Sequence, residues 1–167
     1  MFDYRICTTD DIDQIVALEQ EAIASLASPD LLRHNSRETL LGGLLCPHTT
    51  WGAFLGGELV AFAVLFVPET EQEDLSLSLT TVDSKRYEKK ANYKLCIVSP
   101  RYRGNHLQQQ LGERLEATAR AQGITLLCST VSPNNPASRR SLENLGYRKD
   151  CDLQKYGFPR QLFFKVL

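Results

Sequence analysis

No stretch of this chain is apolar for long enough to span a bilayer: the longest run, LVAFAVLFV, falls far short of the about 20 residues that a membrane helix needs. There is no Gly-x-x-x-x-Gly-Lys-Ser/Thr loop, which excludes a P-loop kinase or nucleoside triphosphatase. The three histidines, His34, His48 and His106, stand alone without His-x-x-x-His or His-Glu-x-x-His spacing, so no metal site is read from them. No Cys-x-x-Cys pair occurs either. Cys7, Cys46, Cys96, Cys128 and Cys151 are scattered, mostly in apolar surroundings, and read as reduced, buried thiols. A charge excess is missing too, since 19 basic residues against 20 acidic ones leave a net charge of −1. That excludes a dedicated nucleic-acid binder with a strongly basic face and makes any anion site a local one. The start, MFDYRICTTDD, has neither the basic region nor the apolar core of a signal peptide. The expected location is the cytoplasm, with no membrane partner.

What is present suits one domain over residues 1–167, long enough to bury a core without disulfide or metal staples. A short strand from Tyr4 to Cys7 leads to Thr9, a helix cap, and to a helix whose Ile12, Ile15, Val16, Ile23 and Leu26 share one face. A second helix is predicted over Arg37–Leu45, and SPDLLRHNS between the two is a polar connection able to line a pocket. WGAFLGGELVAFAVLFV predicts a hairpin about Gly56-Gly57 with a fully buried second strand. From Pro68 to Lys90 acids gather at one end and bases at the other, and LSLSL alternates like a half-exposed strand. This segment reads as a solvated excursion or as a lid over a substrate.

The C-terminal half has the clearest punctuation. YKLCIV is a strand, RYRGNHLQQQL a turn passing into a helix with Leu107, Leu111 and Leu115 on one face, and Gly123 a stop. ITLLCSTV is another buried strand. In PNNPASRRSLENLGY, Asn135 is a good N-cap, Pro136 fits the first helical position and Gly146 closes the helix. YRKDCDL and RQLFFKVL end the chain as two strands. The turn has a basic residue on either side of Tyr102 and no acid, and it opens onto a helix N-terminus. There, backbone N–H groups lack internal partners and the peptide dipoles sum to roughly half a positive charge. The junction suits a phosphate, or is an ordinary β–α connection with its arginines in water.

The order strand, Val-x-Pro, Arg-Gly turn, amphipathic helix, strand, Asn-x-x-Ser and Leu-Gly-Tyr resembles the GNAT superfamily of acetyl-CoA-dependent N-acetyltransferases, strongly from Ala91 to Tyr147 and by element order before that. The resemblance implies an α/β (α+β) GNAT fold: a central mixed, mostly antiparallel sheet of about seven strands splayed in a V, with helices on both faces. It implies acetyl-CoA as cosubstrate and no metal. In that family a turn of pattern Gln/Arg-x-x-Gly-x-Gly/Ala holds the pyrophosphate of coenzyme A on its backbone amides. Aligned on Val98-Ser99-Pro100, Arg103 takes the first position, His106 stands where the first glycine belongs and Gln108 where the second small residue belongs. A family variant reading RGNGLQ leaves His106 as the departure. A Cβ there costs little if φ is negative, as in a helix's first turn, and the imidazole either adds a donor to the phosphates or turns to solvent. The resemblance also implies that YKLCIV and ITLLCSTV splay, with the pantetheine arm in the gap against backbone at Ile97 and Val98. It assigns Arg103, Gly104, Asn105, His106, Leu107, Gln108, Asn135 and Ser138 to coenzyme A; Asn135 serves equally as a helix cap.

Acetyl transfer needs a neutral amine, yet an alkyl amine of pKa about 10 is almost wholly protonated at pH 7. A base or a water relay must take that proton. Many relatives protonate the departing thiolate with a tyrosine four residues before the glycine of Leu-Gly-Tyr, and that position here is Leu142. Another branch, resembling ribosomal-protein N-terminal acetyltransferases, uses the serine of Asn-x-x-Ser, which makes Ser138 the catalytic candidate; a first-turn serine is also capping chemistry. YKLCIV contains no glutamate, so the base lies elsewhere or is water, and Glu69, Glu71, Glu73 and Asp74 are candidates by charge alone. Tyr93 and Tyr147 read as packed aromatics. The activity implied is direct acetyl transfer, in a ternary complex, to a primary amine of a small molecule or a protein N-terminus. The alternative is a non-catalytic acyl-CoA-binding regulatory module, which Leu142 and His106 keep open, and an interaction domain without cofactor fits least. The residues that select the acceptor lie before Ala91, and the oligomeric state, homodimer included, is left open.

Overall fold

The hairpin at Gly56-Gly57 joins β2 (Thr49–Leu55) to β3 (Glu58–Phe66), with φ positive at both glycines. The computed structural model describes residues 1–167 and sets these two strands in a seven-stranded sheet of order β1-β2-β3-β4-β5-β7-β6. The other strands are β1 (Asp3–Ile6), β4 (Lys90–Val98), β5 (Leu126–Val131), β6 (Arg148–Lys155) and β7 (Phe158–Val166). Only β4 and β5 run parallel; every other pair is antiparallel. This is the mixed, mostly antiparallel sheet that the family resemblance implies.

From Leu59 onward strand β3 is apolar because helices cover both of its faces. Ala61, Ala63 and Leu65 pack with Leu107, Leu111 and Leu115 of α3 (Leu107–Ala121) and with Leu142 of α4 (Pro136–Asn144). Phe62 and Val64 point the other way, into Ile15, Leu18 and Ala22 of α1 (Ile12–Ala24) and Leu40 of α2 (Arg37–Gly42). Each fully buried large side chain here stabilises by about 1.5–3 kcal/mol, so the central strand ties the two helical layers together. The entry to α1 differs from the sequence expectation. Thr8, and not Thr9, begins it: its N–H donates to Asp11 Oδ2 (2.8 Å), and a one-turn 3-10 helix at Thr9–Asp11 precedes Ile12. Leu26 lies beyond the helix end at Ala24.

Residues 68–89 are mostly exposed, as a solvated excursion is, and none of them lines the cavity along β4 as a lid would, but the segment is pinned to the sheet. LSLSL does not extend as a strand: Leu75–Ser78 is a 3-10 turn capped by Asp74, whose Oδ1 accepts from Ser76 N (3.0 Å) and Ser76 Oγ (2.6 Å). Leu75 buries against Leu126, Cys128, Leu162 and Phe164 on a part of the sheet to which no helix contributes. Asp150 on β6 holds the segment there, accepting from the backbone N–H groups of Thr80 and Thr81 (both 2.8 Å) and from both their hydroxyls. The cysteines are all unpaired, and their burial is less uniform than expected: Cys7 and Cys128 are buried, Cys96 and Cys151 half-buried, Cys46 exposed. No helix is long and apolar enough to cross a membrane.

Candidate active site

β4 and β5 pair only at their beginnings, Lys90 with Leu126, Ala91 with Leu127 and Asn92 with Cys128. Beyond that point the strands part. A β-bulge at Lys94, opposite the Val64/Leu65 step of β3, bends β4 as it leaves its neighbour. Ser129 Oγ satisfies the last shared carbonyl, donating to Tyr93 O (2.8 Å) at the apex. The edge of β4 from Lys94 to Val98 therefore lacks a ladder partner on the β5 side, and a cavity of about 920 Å³ opens along it.

At one end of this cavity β4 runs through a 3-10 turn at Pro100–Tyr102 into α3. The first bond of α3 runs from Gln110 N to His106 O (3.0 Å), so the N–H groups of Leu107, Gln108 and Gln109 have no partner inside the helix. His106, at the N-cap position, gives no side-chain cap. An anion is the natural fourth party at such an end. The two arginines of the turn differ. Arg101 is held by Glu21 (3.3 Å) and Glu58, whereas Arg103 has no acid and donates only to Ser25 Oγ (3.2 Å). The expectation of a negative φ at His106 is overturned: φ is 57° and ψ 23°, the left-handed region. With Gly104 at φ 84°, two residues of this loop adopt conformations suited to glycine. His106 thus holds a backbone conformation that a glycine would adopt without a Cβ penalty.

Of the residues assigned by resemblance, Ile97, Val98, Arg103, Gly104, His106, Leu107, Gln108, Asn135 and Ser138 line the cavity. Asn105 does not; its Nδ2 turns back to Tyr102 O (2.9 Å). The cap of α4 is Asn135, whose Oδ1 accepts from Ser138 N (3.1 Å). Ser138 itself is half-buried and its hydroxyl makes no hydrogen bond within the protein, so the capping role belongs to Asn135 alone. Leu142, one turn on, is buried. Tyr93 and Tyr147 pack in the core with ring centroids 6.2 Å apart, and the Tyr93 hydroxyl is buried without a partner. Burial pushes the Tyr93 phenol well above its ordinary range, which keeps it a neutral donor.

The other end of the cavity was only partly legible in the sequence. SPDLLRHNS lines it as read, through Leu31, Leu32, Arg33 and Asn35, while Lys94, Tyr156 and Arg160 arrive from β4 and the β6–β7 hairpin. No Asp or Glu lines the cavity. Glu69, Glu71, Glu73 and Asp74 all lie outside it: Asp74 pairs with Lys90 (3.4 Å), Glu69 neighbours His48 (3.7 Å), and Glu73 accepts from the Glu69 N–H (3.1 Å). No group of three or more His, Cys, Asp or Glu side chains is placed to hold a metal ion.

Residues 13–147, which include the parted strands, the start of α3 and the Asn-x-x-Ser helix, match the model of the acetyltransferase (GNAT) family. The chain belongs to the GNAT acetyltransferase family. Solved structures share the fold along their whole length. A GNAT-family acetyltransferase from Streptococcus pneumoniae is 17% identical, with 100% of this chain and 99% of that one covered and a TM-score of 0.75. The ribosomal-protein-S18-alanine N-acetyltransferase of Escherichia coli is 19% identical over 99% and 94% of the two chains, TM-score 0.74. The PaiA N-acetyltransferase of Thermoplasma acidophilum, in complex with coenzyme A, is 15% identical over 100% and 99%, TM-score 0.73. No curated protein matches the chain by sequence.

Proposed function

We propose that this GNAT protein transfers the acetyl group of acetyl-CoA to a primary amine by direct attack within a ternary complex. The observation that carries the reading is the single cavity running along the open edge of β4 to the uncapped start of α3. Its parts fit the cosubstrate. The N–H groups of Leu107, Gln108 and Gln109, with Arg103 beside them, bind the pyrophosphate. The backbone of β4 at Ile97 and Val98 pairs with the amides of the pantetheine arm as it would with a missing strand. Asn135 and Gln108 border the same path. When bound, acetyl-CoA supplies a thioester whose carbonyl the amine attacks; the new N–C bond forms as the C–S bond breaks.

Three demands on the protein follow. A backbone N–H on the open edge of β4 donates to the carbonyl oxygen as charge develops there. Ser138, with its hydroxyl free and on the cavity wall, donates to the departing sulfur in the place that Leu142 leaves vacant. The amine's proton passes to water, since no carboxylate lines the cavity. The E. coli relative acts on a ribosomal-protein alanine, and a protein N-terminus or a small amine is the acceptor class here. The five unpaired cysteines suit the cytoplasm, a reducing compartment.

The test has two readouts. Acetyl-CoA at about 100 times its dissociation constant should stabilise the folded protein by about 2.7 kcal/mol, seen as a higher melting temperature. A panel of amines should then release free thiol from acetyl-CoA. Stabilisation without thiol release from any amine would favour the binding-module alternative, and neither response would overturn the reading.

A further inference from the structure

The acceptor end of the cavity is walled by three cations that hold no anion of their own. Arg160 is 5% exposed, and its only hydrogen bond is from Nη1 to the Pro159 carbonyl (2.9 Å). Arg33 makes no ion pair and lies over the Tyr156 ring, 4.1 Å from its centroid. Lys94, at the bulge, stands over Phe66 at 4.1 Å and likewise has no ion pair. The charges of Asp30 and Glu73 reach Arg160 and Lys94 respectively, but neither acid forms an ion pair with them. Asp30 accepts from Ser28, Ser132 and Asn134, and Glu19, buried on α1, accepts from Asn35 N (2.8 Å) and Nδ2 (2.9 Å). Glu73 is engaged by the Glu69 N–H. None of the three lines the cavity.

Two cationic ends thus share one cavity. From Val98, beside the α3 start, back to Lys94 is four residues of β4, about 13 Å at ~3.3 Å per residue. The pyrophosphate end accounts for Arg103 and not for Arg33, Lys94 or Arg160. The unpaired N–H groups of Arg160 stay accessible and open onto the cavity, and a planar guanidinium fork matches a carboxylate or phosphate two bonds at a time.

We propose that this end binds the oxyanion of the acceptor, so that the substrate is a small amine carrying its own carboxylate or phosphate, recognised by Arg160 and Arg33. The inference rests on the acetyltransferase reading above and names its substrate class. It also answers the missing base. Cations around an ammonium favour its neutral form, so an acceptor seated by its oxyanion loses the amine proton to water more readily beside Lys94. A polyamine has only positive charge to offer and is repelled. Asn35, held by Glu19, fixes the loop that carries Arg33.

The experiment compares matched acceptors with the full chain and acetyl-CoA, with kcat/KM taken per neutral amine: an ω-amino acid against its carboxamide, phosphoethanolamine against ethanolamine, with spermidine and an amidated tetrapeptide as controls. The acid is expected to exceed its amide by about 10- to 100-fold in kcat/KM, the range of one charge-assisted fork; the two pairs separate carboxylate from phosphate. Arg160→Gln should shrink that preference about tenfold. Because Arg160 is buried and its replacement can fail to fold, the exposed Arg33→Gln serves as the second variant, with the same direction expected. Calorimetric titration of the N-acetylated acid into the coenzyme A complex gives a readout independent of turnover. Thiol release with amide equal to acid, or spermidine preferred, would overturn the oxyanion assignment and leave the acetyltransferase reading standing. Binding of the N-acetylated acid, lost in Arg33→Gln, without thiol release from any amine would sink the catalytic reading and uphold the site. No binding in the calorimeter would overturn the site.

Discussion

His106 shows what a single residue reveals about a loop. The sequence places a Cβ where the family has glycine, and the structure adds that the backbone there is left-handed, at φ 57°. A non-glycine residue in that region costs roughly 1–2 kcal/mol, while a glycine loses about 0.5–1 kcal/mol more chain entropy on folding. His106→Gly should therefore gain about 0.5–1 kcal/mol net, a rise of about 1–4 °C in melting temperature for a chain of this size. Coenzyme A affinity should stay within about threefold, because the N–H groups of Leu107 to Gln109 do the holding. A loss of about tenfold or more would make the imidazole a phosphate donor. Ser138 offers the complementary case. Its hydroxyl holds nothing in the free protein, so Ser138→Ala should leave the melting temperature nearly unchanged and lower kcat by about 100- to 10,000-fold as the lost acid to the thiolate. A mutant with wild-type kcat would pass the role to water in the cavity.

Among the elements, the cover formed by residues 68–89 depends on one side chain. Asp150 collects four hydrogen bonds from Thr80 and Thr81; burial opposes its ionisation, but these bonds prevail and hold its carboxyl below the usual carboxylate range. Asp150 is partly open to water, so Asp150→Ala should cost about 1–2 kcal/mol, toward the low end of what four bonds suggest. Its folded-state pKa is depressed, hence the stabilisation is complete above the unfolded value near 4 and fades as pH falls through the folded value. Denaturant melts of wild type and mutant should differ at pH 7 and draw together progressively as pH falls below about 4; a gap that is the same at pH 7 and pH 2 would mean that the ionised carboxylate is not the cause. The elements that the sequence made legible are those with local punctuation, such as the Gly56-Gly57 turn, the Asn135 cap and the Gly146 stop. LSLSL misled because its leucines alternate by two, yet Asp74 caps a one-turn 3-10 helix there and leaves Leu75 buried with Leu77 outside. An aspartate cap outcompeted a weak strand pattern.

At the scale of the molecule, a nearly neutral chain keeps its charges apart. Net charge is −1, yet the cavity is lined by arginines and lysine without a single carboxylate. Composition hid this, because Arg33 and Arg160 come from opposite ends of the chain and meet only where the α1–α2 connection faces the β6–β7 hairpin. The coenzyme end was legible because its parts are consecutive, and the acceptor end was not because its parts are assembled by the sheet. The separation has a kinetic consequence. With no acid to act as general base, the acidic limb of the pH profile belongs to the substrate, since only the neutral amine attacks and kcat/KM reports the free reactants. Log kcat/KM should rise by about one unit per pH unit and level off near the amine's own pKa. A dipeptide, with an α-amine near 8, and an ω-amino acid, with an alkyl amine near 10, carry the same net charge, so their profiles should differ by about two pH units in midpoint. A bound base would give both acceptors the same midpoint. Coincident profiles would therefore place a titrating group of the protein at the amine, and divergent ones would leave water as the proton acceptor.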